Sequence, residues 1–397
     1  MQIWQYGIIF AKIVKIYKFM KGYIPRLLES AVRQSIKEYP VQIVTGPRQS
    51  GKTTMCRHLM PDYKFVNLER LTNRRYAQDD PAAFLKSLGP KAIIDEVQNV
   101  PELLSEIQAS VDEDPDLSYI LTGSCNFALM NRVSQSLAGR ASVFTLLPLS
   151  LHEITGHCDE MSTDQIEYTG FYPGCMIGGI RPERFYSNYY QTYIERDVRE
   201  LMQIKNLDKF DIFIRLLAGR AGTELNVSSL AVETGVTVKT VNEWLSILKA
   251  SYIVFELRPY FVNINKRLTK TPKIYFYDSG LMVHLLGVQS ESQLSTHPLR
   301  GAVFENMVIS EFLKQRYNQA LAPNIHFYRE NSGREVDIVS IHPEGLDLYE
   351  VKAAATYRSD FRRNMEYLAT VLPNVRSTHV IYDGASIPPV ILNFRRI

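Results

Sequence analysis

The stretch VQIVTGPRQSGKTT, residues 41–54, decides the fold of this 397-residue chain. Its first residues are apolar and predict a buried strand, and the pattern G-x-x-x-x-G-K-[ST] follows from Gly46 to Thr53. Glycines let the backbone turn tightly, so that amide N–H groups point at a polyphosphate, and the helix expected to begin near Lys52 directs its positive end at the same anion. We therefore expect a nucleoside triphosphate to be bound by Gly46, Pro47, Arg48, Gln49, Ser50, Gly51, Lys52, Thr53 and Thr54.

A second motif, KAIIDE at residues 91–96, supplies the groups for hydrolysis. It is an apolar strand that ends in two carboxylates, of which Asp95 would hold Mg²⁺ through water and Glu96 would polarise the water that attacks the γ-phosphate. In the loop, Lys52 would supply charge to the β- and γ-phosphates and the Thr53 hydroxyl would bind Mg²⁺. Taken alone, the first motif could be a glycine turn with a stray lysine. The second, taken alone, could be a strand followed by a solvated acidic turn. Together they predict binding and hydrolysis of ATP.

A third apolar strand, residues 117–122, completes the predicted α/β parallel sheet of a first domain at residues 23–150. Polar residues at its end can sense the γ-phosphate, and the candidates are Thr122, Ser124 and Asn126. Capping of a helix by Ser124 or Asn126 is an equal alternative. Arg140 is either an arginine finger for the nucleotide of a neighbouring subunit in a homo-oligomer or a paired surface arginine.

The sequence predicts a helical linker or lid at residues 151–218 and a winged helix-turn-helix at residues 219–290. The latter contains a short helix at 228–234, a turn at Gly235, a second helix at 238–248 and two strands. The recognition helix would present Lys239, Thr240 and Asn242, and the wing would carry Asn263, Lys266, Arg267 and Lys270. Contact with DNA and a packing role inside an ATPase are both open.

The last part, residues 291–397, has a second candidate site. A helix carries Glu305, and a predicted hairpin has strands at 335–341 and 346–352. Period-two alternation puts Glu335 and Asp337 on one face, and likewise Glu350 and Lys352. The carboxylates of Glu305, Asp337 and Glu350 would then bind one divalent ion while Lys352 steers or activates water, as in metal-assisted phosphodiester cleavage. An amphipathic hairpin with a charged, solvated face is the alternative.

Composition restricts the kinds of partner and the cellular location that we expect for this protein. The net charge of +3 is too small to indicate nucleic-acid binding by itself, and four scattered cysteines without a C-x-x-C pair indicate free thiols in a reducing compartment, which favours a cytoplasmic protein. No stretch is apolar for long enough to span a bilayer, so we expect no integral membrane segment. The leader, residues 1–22, is a basic amphipathic stretch that either lies on a membrane surface or precedes the true start at Met20.

With these motifs in place, the chain from Tyr23 onward resembles a prokaryotic family of AAA+ ATPases whose C-terminal domain of unknown function is similar to PD-(D/E)XK nucleases. The resemblance is carried by GPRQSGKTT, AIIDEVQNVP, YILTGSCNF, YIERDV, FYDSGL, GAVFEN and REVDIV through YEVKAA. It implies triphosphate binding at Gly46 to Thr54, the acidic pair Asp95 and Glu96, and a nuclease-like motif at Asp337, Glu350 and Lys352. Two functions stay open. One is an ATP-driven machine that acts on DNA, and the other an ATP-gated switch or scaffold that binds a protein partner and cuts nothing.

Overall fold

The computed structural model describes residues 23–124, 136–198, 207–261, 270–330 and 332–397, with the backbone alone for 195–198. Several sequence predictions therefore fall outside the described residues. These are the leader at 1–22, the sensor candidate Asn126 and the wing residues Asn263, Lys266 and Arg267.

The first domain (residues 23–150) contains the predicted parallel sheet, with strands in the order β2-β3-β4-β1-β5. The strands are β1 Val41–Thr45, β2 Lys64–Asn67, β3 Lys91–Asp95, β4 Ser118–Thr122 and β5 Ala141–Thr145. The helices are α1 Glu29–Ser35, α2 Lys52–Leu59, α3 Leu71–Asp79, α4 Pro81–Leu88 and α5 Leu103–Glu113. Successive β1 side chains enter different cores, Ile43 on one face of the sheet and Val44 on the other. Burial on both faces explains why these strands are continuously apolar.

The strand order brings the motifs to one edge of the sheet. All four strand pairings are parallel, and β4 lies between β1 and β3. The carboxyl ends of β1, β3 and β4 therefore lie side by side, and ligands of open α/β sheets bind outside such ends. The loop after Thr45, the carboxylate of Asp95 and the hydroxyl of Thr122 thus belong to the same region.

The middle segment (residues 163–295) is mainly helical. Its helices are α6 Thr163–Thr169, α7 Pro173–Met176, α8 Pro182–Tyr189, a π-helical stretch Tyr190–Val198, α9 Leu207–Gly219, α10 Val227–Thr234, α11 Val238–Ala250, α12 Ser279–Leu285 and α13 Glu291–Ser295. A ribbon of two antiparallel strands, β6 Val254–Leu257 and β7 Lys273–Phe276, follows α11. Helix, turn at Gly235, helix and ribbon thus occur in the order that the sequence predicted. Tyr189 and Trp244 share one hydrophobic cluster, so the predicted domain boundary after residue 218 passes through a common core.

The terminal domain (residues 300–397) is a second five-stranded sheet, of order β12-β11-β10-β9-β8. Its elements are α14 Arg300–Asn318, β8 Ile325–Arg329, β9 Glu335–His342, β10 Gly345–Lys352, α15 Arg363–Val371, β11 Val375–Tyr382 and β12 Ile391–Asn393. The predicted hairpin is confirmed, because β9 and β10 are antiparallel and Gly345 pairs with His342. Short 3-10 turns occur at Val97–Asn99, Ser359–Arg362 and Phe394–Arg396.

In the part of the chain that the structure describes, no helix has the length and apolar character needed to cross a bilayer.

Candidate functional site

The loop between β1 and α2 has the backbone that the glycine pattern requires. Gly46 has φ 140°, Gln49 φ 62° and Gly51 φ 97°. A Cβ on Gly46 would lie 2.2 Å from the carbonyl oxygen of Leu146, so only glycine fits there. Ser50 is buried at the centre of the loop, and its Oγ has no hydrogen-bond partner among the described residues. The loop therefore offers an unsatisfied polar atom at the place where the sequence predicts a polyphosphate.

Lys52 opens α2 and is almost fully buried. Its Nζ donates to the carbonyl oxygens of Gly46, at 3.0 Å, and Pro47, at 2.7 Å. Burial lowers the pKa of Lys52 to about 8, although the nearby carboxylates of Glu96 and Asp95 act in the opposite direction. The ammonium is thus held inside the loop in a poorly solvated environment, where its interaction with an added anion would be strong.

Asp95, the last residue of β3, is buried and accepts three hydrogen bonds. Its Oδ1 accepts from Thr53 Oγ1, at 2.8 Å, and from Thr122 Oγ1. Its Oδ2 accepts from Asn67 Nδ2 at 3.0 Å. Thr53 and Asp95, which the sequence assigned to the same Mg²⁺, are thus in contact, and Thr122, one of the three sensor candidates, contacts the same carboxylate. Asn67 was missed, since an asparagine at a strand end gives no distinctive sequence signal.

Glu96 follows in a left-handed conformation, with φ 58°. Gln98 Nε2 donates to Glu96 Oε2 and also lies 3.2 Å from Ser124 Oγ. Ser124 is therefore joined to Glu96 through Gln98. Sequence reasoning identified Ser124 as a candidate but did not identify Gln98.

A polar cavity of about 830 Å³ lies over the loop. It is lined by the loop and α2 (Arg48, Gln49, Gly51, Lys52, Thr53, Thr54), by the end of β3 (Glu96, Gln98, Asn99), by Glu69 and Arg74, and by the middle segment (Pro173, Thr192, Tyr193). The guanidinium of Arg48 lies 5.6 Å from the ring centroid of Tyr193. Tyr193, the first residue of the motif YIERDV, thus lines this cavity.

A second cavity of about 280 Å³ adjoins the same loop. Its lining is mainly apolar and includes Tyr23, Ile24, Leu149, Pro173 and Ile177. It shares Gly51, Thr54 and Pro173 with the polar cavity, and Ser50 also lines the second cavity. The polar cavity and the apolar cavity therefore lie side by side at the start of α2.

Arg26 holds the loop between β1 and α2 by a hydrogen bond to its backbone, and sequence reasoning did not identify it. This buried side chain donates from Nη1 to the carbonyl oxygen of Ser50 and from Nη2 to that of Leu147, both at 2.8 Å, and from Nε to Glu153 Oε1 at 3.0 Å. Glu153 also accepts from the backbone N–H groups of Leu27 and Ser150. The partners are far apart in the chain, so no local pattern indicates them.

Arg140 comes directly before β5, which runs parallel to β1. It therefore lies at the amino ends of the strands, whereas the loop follows the carboxyl end of β1. Its Nε and Nη2 donate to the two carboxylate oxygens of Asp112, at 2.5 and 2.7 Å. The paired surface arginine is therefore what the single chain contains. A role toward the nucleotide of a neighbouring subunit stays a prediction.

Asp95 and Thr53 suit Mg²⁺ even though, within the described ranges, no group of three or more His, Cys, Asp or Glu side chains is arranged to hold a metal ion. Mg²⁺ keeps several waters and takes one or two protein carboxylates together with phosphate oxygens. One carboxylate and one hydroxyl, 2.8 Å apart beside a phosphate-binding loop, are therefore a sufficient protein contribution.

The terminal carboxylates Glu305, Asp337 and Glu350 converge in a cluster with two lysines. Lys273 lies 3.5 Å from Glu305 and Lys352 lies 2.6 Å from Glu350. Among the described residues, no group of three or more His, Cys, Asp or Glu side chains is arranged to hold a metal ion, and the role of these carboxylates as metal ligands stays a prediction. Asp337 accepts the backbone N–H of Val351 at 2.7 Å.

Burial governs the protonation of this cluster. It raises the pKa of Glu305 to about 7 and that of Glu350 to about 8, and the neighbouring Asp337 adds to both shifts. The pKa of Asp337 is also raised by burial. Burial opposes the charge of Lys273 and Lys352, yet the carboxylates around them raise the pKa of both lysines above the usual value. The lysines therefore stay charged at neutral pH.

Comparison with known families divides the chain into three matched parts. Residues 38–155 match an AAA domain family, residues 162–292 a domain of unknown function (DUF8612) and residues 300–394 another domain of unknown function (DUF4143). The first domain is therefore a P-loop domain of the AAA type. The families of the other two parts carry no described activity, and they do not test the winged-helix or nuclease interpretations.

Two mycobacterial relatives match most of this chain, and both are described as uncharacterized proteins. The proteins Rv2008c of Mycobacterium tuberculosis and Mb2031c of Mycobacterium bovis are each 28% identical to this chain over 338 residues, which is 83% of this chain and 74% of the relative. Among solved structures, a Walker-type ATPase of Pyrococcus abyssi aligns with a TM-score of 0.43 and 15% identity, over 65% of this chain and 94% of that one. A STAND-class signal-transduction ATPase with a tetratricopeptide repeat sensor, from Pyrococcus horikoshii, aligns with a TM-score of 0.22 and 10% identity, over 72% of this chain and 47% of that one. Scores this low carry no argument about function.

Proposed function

We propose that the first domain binds Mg-ATP and hydrolyses it. The observation that carries this proposal is the meeting of Lys52, Thr53 and Asp95 beside a loop that turns around the unpartnered Ser50 hydroxyl. A buried ammonium, a hydroxyl and a carboxylate are the groups that P-loop proteins use for a triphosphate and its magnesium. The AAA family match of residues 38–155 supports the same conclusion.

The two adjoining cavities support a nucleotide over an inorganic polyphosphate. In the proposed complex, the phosphates lie in the polar cavity of about 830 Å³ and the base in the apolar cavity of about 280 Å³. Gly51, Thr54 and Pro173 line both cavities, so the ribose that joins the two halves of the ligand would lie beside them. Apolar walls with a few polar groups are the usual surroundings of a base.

Each polar group has a role in this proposal. Thr53 and Asp95 would hold Mg²⁺, which when bound neutralises charge on the phosphates. Lys52 stabilises negative charge on the phosphates that lie in the loop. Glu96 orients the attacking water and accepts its proton, and Gln98 keeps the Glu96 carboxylate turned toward Ser124.

The position of the cavity favours the function of an ATP-gated switch, in which ATP binding and hydrolysis control the arrangement of the protein. Thr192, Tyr193 and Pro173 belong to the middle segment, whereas the loop belongs to the first domain. A nucleotide in the cavity would contact both parts and would favour the arrangement in which they are close. ATP binding and hydrolysis would then change how the middle segment sits on the first domain, and a protein partner would sense that change.

Action on DNA is the second candidate, and one observation favours it. Helix α11 begins after a Thr237 cap and exposes Lys239 and Asn242 to solvent, as a recognition helix does. Lys239 makes only a loose ion pair with Glu243, at 3.9 Å, and its side chain is 87% exposed. Fluorescence anisotropy of a labelled duplex, measured at several salt concentrations, tests this: salt-dependent binding weakened by Lys239→Ala supports DNA contact, and no binding at moderate salt supports the switch.

Phosphate release under steady-state conditions, together with binding of a fluorescent ATP analogue, tests hydrolysis itself. We expect Glu96→Gln to retain binding and to lose turnover by about 10²-fold or more, since it removes a general base. Glu113→Gln is the matched control, because Glu113 ends α5 on the exposed surface. Mg²⁺-independent turnover, or equal rates in Glu96→Gln and the unaltered protein, would refute the proposal.

A further inference from the structure

The acidic cluster of the terminal domain, which consists of Glu305, Glu335, Asp337 and Glu350, receives a cation from outside that domain. Lys273 is the first residue of β7 in the ribbon, and its side chain is only 4% exposed. Its Nζ forms an ion pair with Glu335 and lies 3.5 Å from Glu305 Oε1. Tyr275, two residues further along β7, donates from its hydroxyl to Glu305 Oε1 at 2.6 Å. The ribbon therefore places both a charge and a hydrogen bond inside the cluster.

The ribbon is fixed in this position by backbone contacts with the terminal sheet. The N–H of Tyr260 donates to the carbonyl oxygen of Phe327 at 2.6 Å, and the N–H of Phe327 donates to that of Arg258 at 3.2 Å. These bonds join the continuation of β6 to the edge strand β8. Lys273 also lies 5.3 Å above the ring centroid of Phe327. Because the backbone of Lys273 belongs to this docked ribbon, its side chain is held beside the cluster as long as the ribbon stays docked.

We propose that Lys273 supplies the positive charge that a divalent cation supplies to such carboxylates in metal-dependent phosphodiesterases, and that the terminal domain binds no divalent metal ion while the ribbon is docked. A dication entering the cluster would have to approach the Lys273 ammonium and to replace its contacts with Glu305 and Glu335. Like charges in a poorly solvated site repel strongly. The inference concerns the terminal domain alone, and it holds or fails independently of ATP hydrolysis in the first domain.

The second lysine of the cluster provides an internal comparison. Lys352 lies on β10, within the terminal domain, and pairs with Glu350 at 2.6 Å. Its side chain is 36% exposed, whereas that of Lys273 is 4% exposed. Removal of either lysine deletes one positive charge from the cluster, but only removal of Lys273 frees the space between Glu305 and Glu335.

Mn²⁺ binding to the full chain, followed by electron paramagnetic resonance without nucleotide, tests the inference. Asp95→Asn is included throughout to remove the candidate metal ligand of the first domain. With Lys273 in place, we expect no bound Mn²⁺ at ion concentrations up to about 1 mM, a range typical of weak protein sites. Lys273→Met should gain one bound Mn²⁺, and this gain should disappear when Asp337→Asn is added.

Lys352→Met is the matched control and should not gain Mn²⁺. Equal gains in Lys273→Met and Lys352→Met would overturn the specific role of Lys273. Mn²⁺ bound to the protein with both lysines intact, and lost on Asp337→Asn, would overturn the proposal outright, and this measurement needs no lysine variant to fold. Lys273→Arg keeps the charge and should stay metal-free, while ATP-analogue binding by chains that retain Asp95 should be the same with and without Lys273→Met.

Discussion

Replacement of Arg26 by methionine would test what holds the phosphate-binding loop in place. The Arg26 guanidinium joins the carbonyl oxygens of Ser50 and Leu147 to the carboxylate of Glu153. Both side chains of the Arg26–Glu153 pair are almost completely buried, with 3% and 0% exposed. Methionine keeps the length and apolar stem of arginine but donates no hydrogen bond, so it would leave the Glu153 carboxylate buried with backbone donors alone.

The expected cost follows from that burial. Removal of one partner from a buried ion pair destabilises by about 3–5 kcal/mol, because the other charge stays uncompensated. This is a large part of the stability of a typical domain, which is roughly 5–15 kcal/mol. The pair Arg140–Asp112 belongs to the same domain, but its side chains are 35% and 43% exposed. Arg140→Met should leave stability unchanged within error, since solvent screens exposed pairs.

Hydrogen exchange followed by mass spectrometry is the suitable assay, because a chain of several domains does not unfold in one step. Peptides that contain β1 and β4 report on opening of the first domain. We expect Arg26→Met to accelerate their exchange by about a hundredfold or more, as a loss of 3 kcal/mol implies. In the double variant Arg26→Met with Glu153→Gln, the loss in free energy of opening should be smaller than the sum of the losses in the two single variants. Its exchange should therefore be slower than additivity predicts. Equal rates in Arg26→Met and Arg140→Met would contradict this reasoning.

Three further predictions concern the nucleotide. Gly46→Ala should abolish detectable binding of a fluorescent ATP analogue, because its Cβ would lie 2.2 Å from Leu146 O. Gly219→Ala, whose added Cβ in helix α9 meets no atom within 4 Å, should bind normally. Binding by the free protein should weaken as pH rises through about 8, the pKa to which burial lowers Lys52, because only the charged ammonium attracts phosphate. Titration at pH 9 should give about tenfold weaker binding than at pH 7, and Lys52→Arg should remove the dependence, since arginine stays charged. Thr122→Val removes a donor to Asp95 and should lower Mg²⁺-dependent phosphate release about tenfold or more, while binding measured without Mg²⁺ stays unchanged.

The geometry of the loop between β1 and α2 could be predicted because its signals are local. One contiguous stretch specifies the strand, the loop and the helix start, and the loop has the positive φ angles at Gly46 and Gly51 that its glycines allow. Asp95 and Thr122 end their strands, and the carboxyl ends of parallel strands lie at the same edge of a sheet. Their contact with each other and with Thr53 therefore follows from topology.

Helix α3, Leu71–Asp79, shows where local signals fail. Its sequence, LTNRRYAQD, is mostly polar, and Ala77 is the only residue of the helix that is buried. A helix that buries so little has no apolar stripe with a period of 3.6, which is the feature that sequence analysis detects. Its side chains hydrogen-bond instead to the connection that precedes it: Arg74 donates to the carbonyl oxygen of Leu68 and Asn73 to that of Asn67.

The terminal cluster shows a different limit of sequence analysis, which concerns charge and not periodicity. Alternation along the hairpin correctly predicted that Asp337 and Glu350 approach each other, and a motif of carboxylates and lysine then indicates a metal site. That inference assumes that the cations of the cluster are those of the motif. Lys273 lies in a strand that looked like part of another domain, and it enters the cluster only because the ribbon docks on β8. An acidic motif therefore predicts a metal site only once every charged residue that the tertiary fold brings to it is known.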